Sequence, residues 1–548
     1  MPRPRPTSRI PAALAALTVG ALALGAAPWR RAPEPPRLVV WLVVDQGRGD
    51  GADRLGSALA EDGLRRFKED GAWFTDARYR HMSTWTASGH ATLATGAYPH
   101  RHGVAANYWF EGGARAEAAD GDAFIAGAPS GLWVSTLGDE LHLADASSRV
   151  VSVSLKDRAA IVMGGDRSDG TYWLDTQAGR FVGRGRGGAA APWVTAFNAS
   201  GAVDAPFGST WETRLPREIL EASGPDACDS ETDALGLGRT FPHPVRGGLD
   251  APGPAYYKTL LRVPQGTGLL LDFALAAVDG EGLGGDDAPD VLFVSVSTTD
   301  YAGHFYGLQS WEYLELIADL DQRLGPFVKA LERRVGRGRV GLVLSADHGG
   351  PPIAECIPDR IDGGRVGYNQ VTQAVEDALI HRFGLHGEEG GVTSDGGWVV
   401  GFEPPGLWLD IPPGVDAAAV KAEASRALLA LPGIADVCDT DAPAGPWAEA
   451  CELATVKGRA PQLMIINRPY FTFADEAYGG LGTTHGSPNA YDARILLGMW
   501  GPGIRPQVRR GTEDPARMAA TVASWLGVSP PAGSEVGAFE GIVEGGGR

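Results

Sequence analysis

The sequence predicts an α/β fold: a doubly wound, mostly parallel sheet flanked by helices, with an inserted cap and a small α+β lobe. Three observations carry this reading. Apolar, β-branched runs stop abruptly in polar residues at RLVVWLVVDQ (37–46), RVVSVSLKDR (149–158), DVLFVSVSTTD (290–300) and VGLVLSADHGG (340–350). Continuous rather than alternating apolarity marks strands covered on both faces. Helical stretches such as WEYLELIADLDQRLGPFVKALERRV (311–335) fall between these runs, the alternation of a doubly wound domain. Finally, Asp45, Lys156, Asp300 and Asp347 each sit where an apolar run ends, and such sheets hold their chemistry at the carboxyl ends of their strands.

The chain start reads differently. Arg3, Arg5 and Arg9 precede IPAALAALTVGALALGAA, which ends in small residues before Pro28. A charged front, a short apolar middle and a small-residue end describe a secretory signal peptide over 1–27, implying a periplasmic or secreted product. The alternative is a membrane anchor, but the run is Ala/Gly-rich and short of the ~20 strongly apolar residues of a span. No stable membrane association is therefore expected after cleavage. Residues 28–548 read as one catalytic domain with insertions at about 160–285 and 388–475. The first is Gly-rich and weakly periodic, and could cap a site. The second holds a strand-like GLWLDI, a helix-like VDAAAVKAEASRALLAL and a short strand around IADVCD.

A formal charge of −19 argues against nucleic acid or an anionic membrane as main partner, since both reward positive surfaces. The four cysteines, Cys228, Cys356, Cys438 and Cys451, form no C-x-x-C pair, so a zinc–thiolate site is not expected. One or two disulfides suit an exported chain, and the short separation of Cys438 and Cys451 makes them the better pair.

The chemistry gathers in short motifs. In DYAGH, Asp300 and His304 stand at i, i+4, and a helix after the strand would place them on one face able to grip one ion; for this pair alone, an N-cap aspartate with an unrelated histidine is the simpler alternative. In SADHGG, Asp347 and His348 are adjacent, so on extended backbone their side chains diverge, which suits two neighbouring ions. In GTTHGSP, His485 sits between glycine-flanked turns that allow close backbone approach. With Asp45 these make three carboxylates and three imidazoles, a donor set that fits two zinc ions better than calcium or iron–sulfur chemistry. Two metals about 4 Å apart can clamp the attacking and leaving oxygens of an in-line displacement.

STWTASGHATLAT (83–95) crowds four hydroxyls, Ser83, Thr84, Thr86 and Ser88, ahead of a short helix with Thr86 as its N-cap and Gly96 as its stop. A hydroxyl there sits in positive potential that favours an alkoxide and a bound phosphate. Simple helix capping remains the alternative. Lys156 and Arg158, at i and i+2 on an extended segment, would share a face and could reach one phosphate; on the residues alone, a solvated surface KDR is the simpler alternative.

In this order, VVDQ, TxTxxGHATLxTGxxPxxHGV, NYW, SLKDR, DYAGH, SADHGG and GTTHGSP resemble the PafA-type, phosphate-irrepressible alkaline phosphatases of the alkaline phosphatase superfamily, over residues 37 to about 505. The resemblance implies an alkaline phosphatase-like fold and an exported, monomeric two-zinc enzyme that hydrolyses small-molecule phosphate monoesters. It implies Thr86 as nucleophile, passing through a covalent phosphothreonine. Asp45, Thr86, Asp347 and His348 would hold one zinc, and Asp300, His304 and His485 the other. Asn107, Lys156 and Arg158 would contact phosphate. Two departures stand out: Ala87-Ser88 replaces the usual Gly-Pro, and Gly47 stands where a larger residue is usual. Rival readings are a phosphodiesterase or nucleotide pyrophosphatase of the same superfamily, and an inactive, metal-stabilised binding protein. A sulfatase is disfavoured because no cysteine occupies the nucleophile position, and a cofactor-independent phosphoglycerate mutase because of the leader.

Overall fold

Among the described residues, nine strands build the central sheet: β1 (Leu38–Val44), β2 (Ala72–Arg78), β3 (Val150–Ser154), β4 (Gly170–Asp175), β5 (Arg180–Gly185), β6 (Asp290–Val296), β7 (Val340–Ser345), β8 (Arg494–Trp500) and β9 (Gln507–Glu513). Their spatial order is β9-β2-β8-β7-β1-β6-β3-β4-β5. The run β7-β1-β6-β3-β4 is parallel throughout, whereas β8 opposes both its neighbours and β5 opposes β4. This computed structural model describes Met1 and residues 34–233, 235–357, 362–385, 397–474 and 482–544. The expected signal peptide lies outside the described residues apart from Met1, as does the first part of the expected 388–475 insertion.

The unbroken apolarity of β1 follows from burial on both sides. Leu38, Val40 and Leu42 join a core with Phe273, Leu314 and Ile317 on one face. Val39, Trp41 and Val43 join Leu93, Met518 and Val522 on the other. Each such side chain contributes roughly 1.5–3 kcal/mol when fully buried, so no position along the strand tolerates a polar residue. The helix expected at 311–335 is present over Trp311–Val335, and with Pro264–Glu281 it covers the first face. Helices Thr86–Thr95 and Arg517–Leu526 cover the second.

The segment expected to form a separate cap, 160–285, instead contributes β4 and β5 to the sheet and the Pro264–Glu281 helix to its cover. Its glycines hid the strand pattern of GTYWLD, whose first five residues are buried. The lobe is separate, as expected. Val399–Glu403, Gly406–Leu409, Leu463–Asn467 and Ile434–Asp439 form an antiparallel sheet in that order. Helices Tyr368–Phe383 and Ala417–Leu429 pack on it around Val375, Leu379, Phe402, Leu407, Val420 and Ile465. Both possible disulfides form, Cys438–Cys451 and Cys228–Cys356.

Candidate active site at the carboxyl edge of the sheet

β7, β1, β6 and β3 are consecutive neighbours in nearly level register, with Val43 opposite Ser345, Val44 opposite Val296 and Ser295 opposite Ser154. Asp347–His348, Asp45, Asp300 and Lys156 therefore emerge side by side from one edge of the sheet. Fully buried Gln46 turns the chain after Asp45 at φ 61°, an uncommon conformation for a residue with a side chain, and its N–H donates to Asp347 Oδ1 at 3.1 Å. Gly47 is required there: a Cβ would lie 2.7 Å from Val44 O and 2.8 Å from Ala346 Cβ.

Among the described residues, two groups of ligand-type atoms form at this edge, Asp300/His304/His485 and Asp45/Asp300/His348. Asp300 Oδ1 lies 3.3 Å from His304 Nε2 and 3.4 Å from His485 Nε2, and the i, i+4 pair lies on helix Thr298–Tyr306 as expected. His348 Nε2 is 3.5 Å from Asp45 Oδ1 and 3.4 Å from Asp347 Oδ2. Asp347 and His348 thus converge rather than diverge, because the strand ends at Ser345 and its alternation no longer applies.

The imidazoles share one arrangement. His348, His304 and His485 direct Nδ1 at the carbonyls of Gly349, Thr483 and Thr84, at 2.9, 3.0 and 2.8 Å. A carbonyl only accepts, so Nδ1 carries the proton and each Nε2 presents its lone pair to the carboxylates. That is how an outer hydrogen bond orients a metal-binding histidine. Burial pushes the His348 imidazole down to about 3, against the pull of Asp347, and also lowers His485. Burial holds the Asp45 carboxyl well above its usual range, reinforced by Asp300 and Asp347. For Asp300, burial is outweighed by Lys156 and His304, which keep it well below that range.

The residues fit divalent-cation binding. Among the described residues, Asp45 Oδ1, Asp300 Oδ1 and His348 Nε2 are buried without a hydrogen-bond partner, and buried polar atoms are otherwise almost always paired.

Thr86 is the first residue of helix Thr86–Thr95, one position inside the cap formed by Trp85, and Gly96 ends that helix in the left-handed conformation at φ 67°. The other three hydroxyls are committed. Ser88 donates to Ser83 O at 2.7 Å, Thr84 to Ser487 O at 2.8 Å, and Ser83 to Ala105 O. Asn107 Oδ1 accepts from Ala87 N at 2.9 Å, tying that side chain to the helix start. Thr86, Asn107, Arg158, Asp300, His304 and His485 all line one cleft.

Lys156 caps helix Asp157–Gly164, so the extended stretch ends at Lys156 itself, while Tyr301 and Asp45 act on both Lys156 and Arg158. The Lys156 ammonium lies 2.6 Å from Asp45 Oδ2 and 2.5 Å from Asp300 Oδ2, balancing charge, while Arg158 lines the cleft.

Sequence reasoning passed over Gly89 and His90. His90 meets Ser295 Oγ at 2.9 Å and Asp347 Oδ2 at 3.2 Å, and its Nδ1 lies 2.7 Å from Thr86 O. It thus joins the helix of Thr86 to two strand ends. A Cβ on Gly89 would lie 2.1 Å from Asp347 O, so only glycine permits this approach. The GH pair quoted within the motif was the available signal.

Residues 39–488 match the family of type I phosphodiesterases and nucleotide pyrophosphatases. The chain belongs to this family. Within it the chain is of the PafA alkaline phosphatase type, and it is a phosphoesterase. Alkaline phosphatase PafA of Elizabethkingia meningoseptica is 29% identical over 532 residues, covering 93% of this chain and 95% of that protein. A crystal structure of wild-type alkaline phosphatase PafA superposes with a TM-score of 0.84 at 28% identity, covering 94% of this chain and 100% of that one. A Myroides odoratus protein named a calcium-transporting ATPase is 29% identical over 524 residues, 91% of this chain and 93% of its own. Among the described residues no helix of this family member is long and apolar enough to cross a membrane.

Proposed function

We propose that the protein is an exported alkaline phosphatase that hydrolyses phosphate monoesters through a phosphothreonine at Thr86, with two zinc ions as cofactors. The observation that carries this reading is one cleft shared by a helix-terminal threonine, an arginine, an asparagine and an Asp/His ligand group. Asp300, His304 and His485 would hold one ion; Asp45, Asp347, His348 and Thr86 the other. When bound, zinc supplies Lewis-acid stabilisation of charge on the reacting oxygens.

This chain's residues account for the remaining work. Thr86 Oγ, at the positive end of a ten-residue helix, gives up its proton and attacks phosphorus in line. The P–O bond to the alcohol breaks, and the alcohol leaves with a proton. Water then attacks the phosphothreonine, the P–Oγ bond breaks, a proton from that water returns to Thr86 Oγ, and orthophosphate is released. Arg158 and Asn107 bind the non-bridging oxygens and are oriented before reaction, so they stabilise developing charge without reorganising. Lys156 holds Asp45 and Asp300 in place. A monoester offers three non-bridging oxygens and nearly two charges to these groups, whereas a diester offers fewer of both. Export is supported by the leader composition and by two disulfides, which persist in oxidising compartments.

The test compares kcat/KM for an aryl phosphate monoester and the matching diester in wild type and Arg158→Ala. The expected result is monoester preference that falls by about 10²-fold in the variant, on the scale of losing one charged donor. A wild type that prefers the diester overturns the monoesterase reading.

A further inference from the structure

The cleft continues beyond the phosphate end into a chamber whose walls have no part in the chemistry above. Four aromatic rings face it, Trp85, Tyr108, Tyr368 and Phe473, together with the ion pair Arg115–Glu403. These side chains come from three places. Trp85 immediately precedes the nucleophile and stands on the His485 ring with centroids 4.7 Å apart. Tyr108 and Arg115 belong to a hairpin of strands Tyr108–Glu111 and Ala114–Glu117. Tyr368, Glu403 and Phe473 come from the small lobe and its approach.

Hairpin and lobe are fastened to each other over the cleft. Arg115 Nε lies 2.6 Å from Glu403 Oε1, and its guanidinium stacks 3.8 Å over the Tyr108 ring. Phe110 packs against Trp408 at 5.4 Å, and a Cβ on Gly401 would meet Phe110 at 2.2 Å, so the backbone of the lobe touches the hairpin directly. The roof is therefore built, and its inner surface is aromatic.

Only the alcohol part of a substrate can occupy this chamber once its phosphate lies at Thr86 and Arg158. Aromatic walls reward a flat ring by stacking as well as by burial, worth roughly 0.5–1.5 kcal/mol per ring pair beyond area.

We propose that this chamber is a leaving-group subsite that selects phosphate monoesters whose alcohol carries a flat aromatic ring. The proposal rests on the monoesterase reading above. Aryl-substituted alcohols and nucleosides both present that chemistry, and the assay separates them.

The experiment pairs substrates of nearly equal leaving ability. Benzyl phosphate is compared with cyclohexylmethyl phosphate, and a nucleoside 5′-monophosphate with ribose 5-phosphate, in the full-length metal-loaded enzyme. The expected result is a 2- to 12-fold preference in kcat/KM for benzyl over cyclohexylmethyl, the stacking range expressed as a ratio. A matching preference in the second pair assigns nucleosides to the subsite, and its absence restricts the subsite to aryl-substituted alcohols. Tyr108→Leu and Tyr368→Leu keep bulk but remove a ring face, and each should bring the benzyl ratio towards one. Equal rates for flat and puckered rings in wild type overturn the subsite while leaving the monoesterase reading intact. Hydrolysis of none of the four substrates overturns both.

Discussion

Gly89→Ala sets two effects of known size against each other. Residue 89 lies inside helix Thr86–Thr95, where alanine is favoured over glycine by about 1 kcal/mol. By propensity alone the variant should be more stable. The added Cβ, however, would stand 2.1 Å from Asp347 O, 2.7 Å from Asp347 C and 2.9 Å from Asp347 Cα, against an ordinary contact of 3.4 Å or more. All three obstacles are backbone, at the strand end that carries two ligand residues, so no side chain can swing away. The helix must retreat by about 1 Å, and overpacking of this kind costs typically 1–3 kcal/mol. The net expectation is a loss of up to about 2 kcal/mol. Activity should suffer more than stability, because the retreat moves Thr86 relative to Asp45, Asp300 and His348. A displacement of about 1 Å costs on the order of 10²-fold in rate. Thermal unfolding and kcat/KM on one monoester, measured on the same preparation, give both numbers. A variant as active as wild type, or more stable at full activity, would refute the claim that this close approach sets the nucleophile.

Two further outcomes follow from particular side chains. Ser88→Ala removes a hydroxyl that donates to Ser83 O, so it should cost about 0.5–1.5 kcal/mol of stability and leave phosphoenzyme formation on Thr86; loss of the phosphoenzyme would make Ser88 the nucleophile. Glu231, buried beside Glu312, is pushed up to about 9 by burial first and by Glu312 second, with Asp226 adding to this and Arg239 opposing it, while His243 bonds Glu312. Its folded form binds a proton more tightly than its unfolded form, so the stability it contributes is complete below the usual carboxylate value and declines as pH rises towards 9. Glu231→Gln mimics the protonated side chain and cannot ionise. Its melting temperature should therefore exceed that of wild type at pH 9 by more than at pH 6, and parallel pH profiles would contradict this.

What could be read from the sequence depended on whether the signal was local. β1, β6 and β7 announced themselves because both faces are buried, and the chain repeats that demand at every position. The Asp300/His304 pair was legible because one helix fixes its geometry. β4 and β5 were not legible as parts of the sheet, since Gly170, Gly183 and Gly185 dilute the pattern there. The orientation of Lys156 was also hidden. It depends on a helix beginning at Asp157 and on carboxylates contributed by β1 and β6, which are distant in sequence. The same holds for His90, whose partners lie 205 residues away in Ser295 and still further in Asp347. The aromatic chamber is assembled from hairpin, lobe and nucleophile loop, and no single stretch carries its signature.

The central claim is that Thr86 forms a covalent bond to phosphorus. Acid-quenching the metal-loaded enzyme during turnover of a phosphate monoester, followed by peptide mass spectrometry across residues 83–95, tests it directly. The account predicts one phosphate on Thr86, and in Thr86→Ala neither phosphopeptide nor turnover. Phosphate on Ser88, or undiminished turnover by Thr86→Ala, would contradict it.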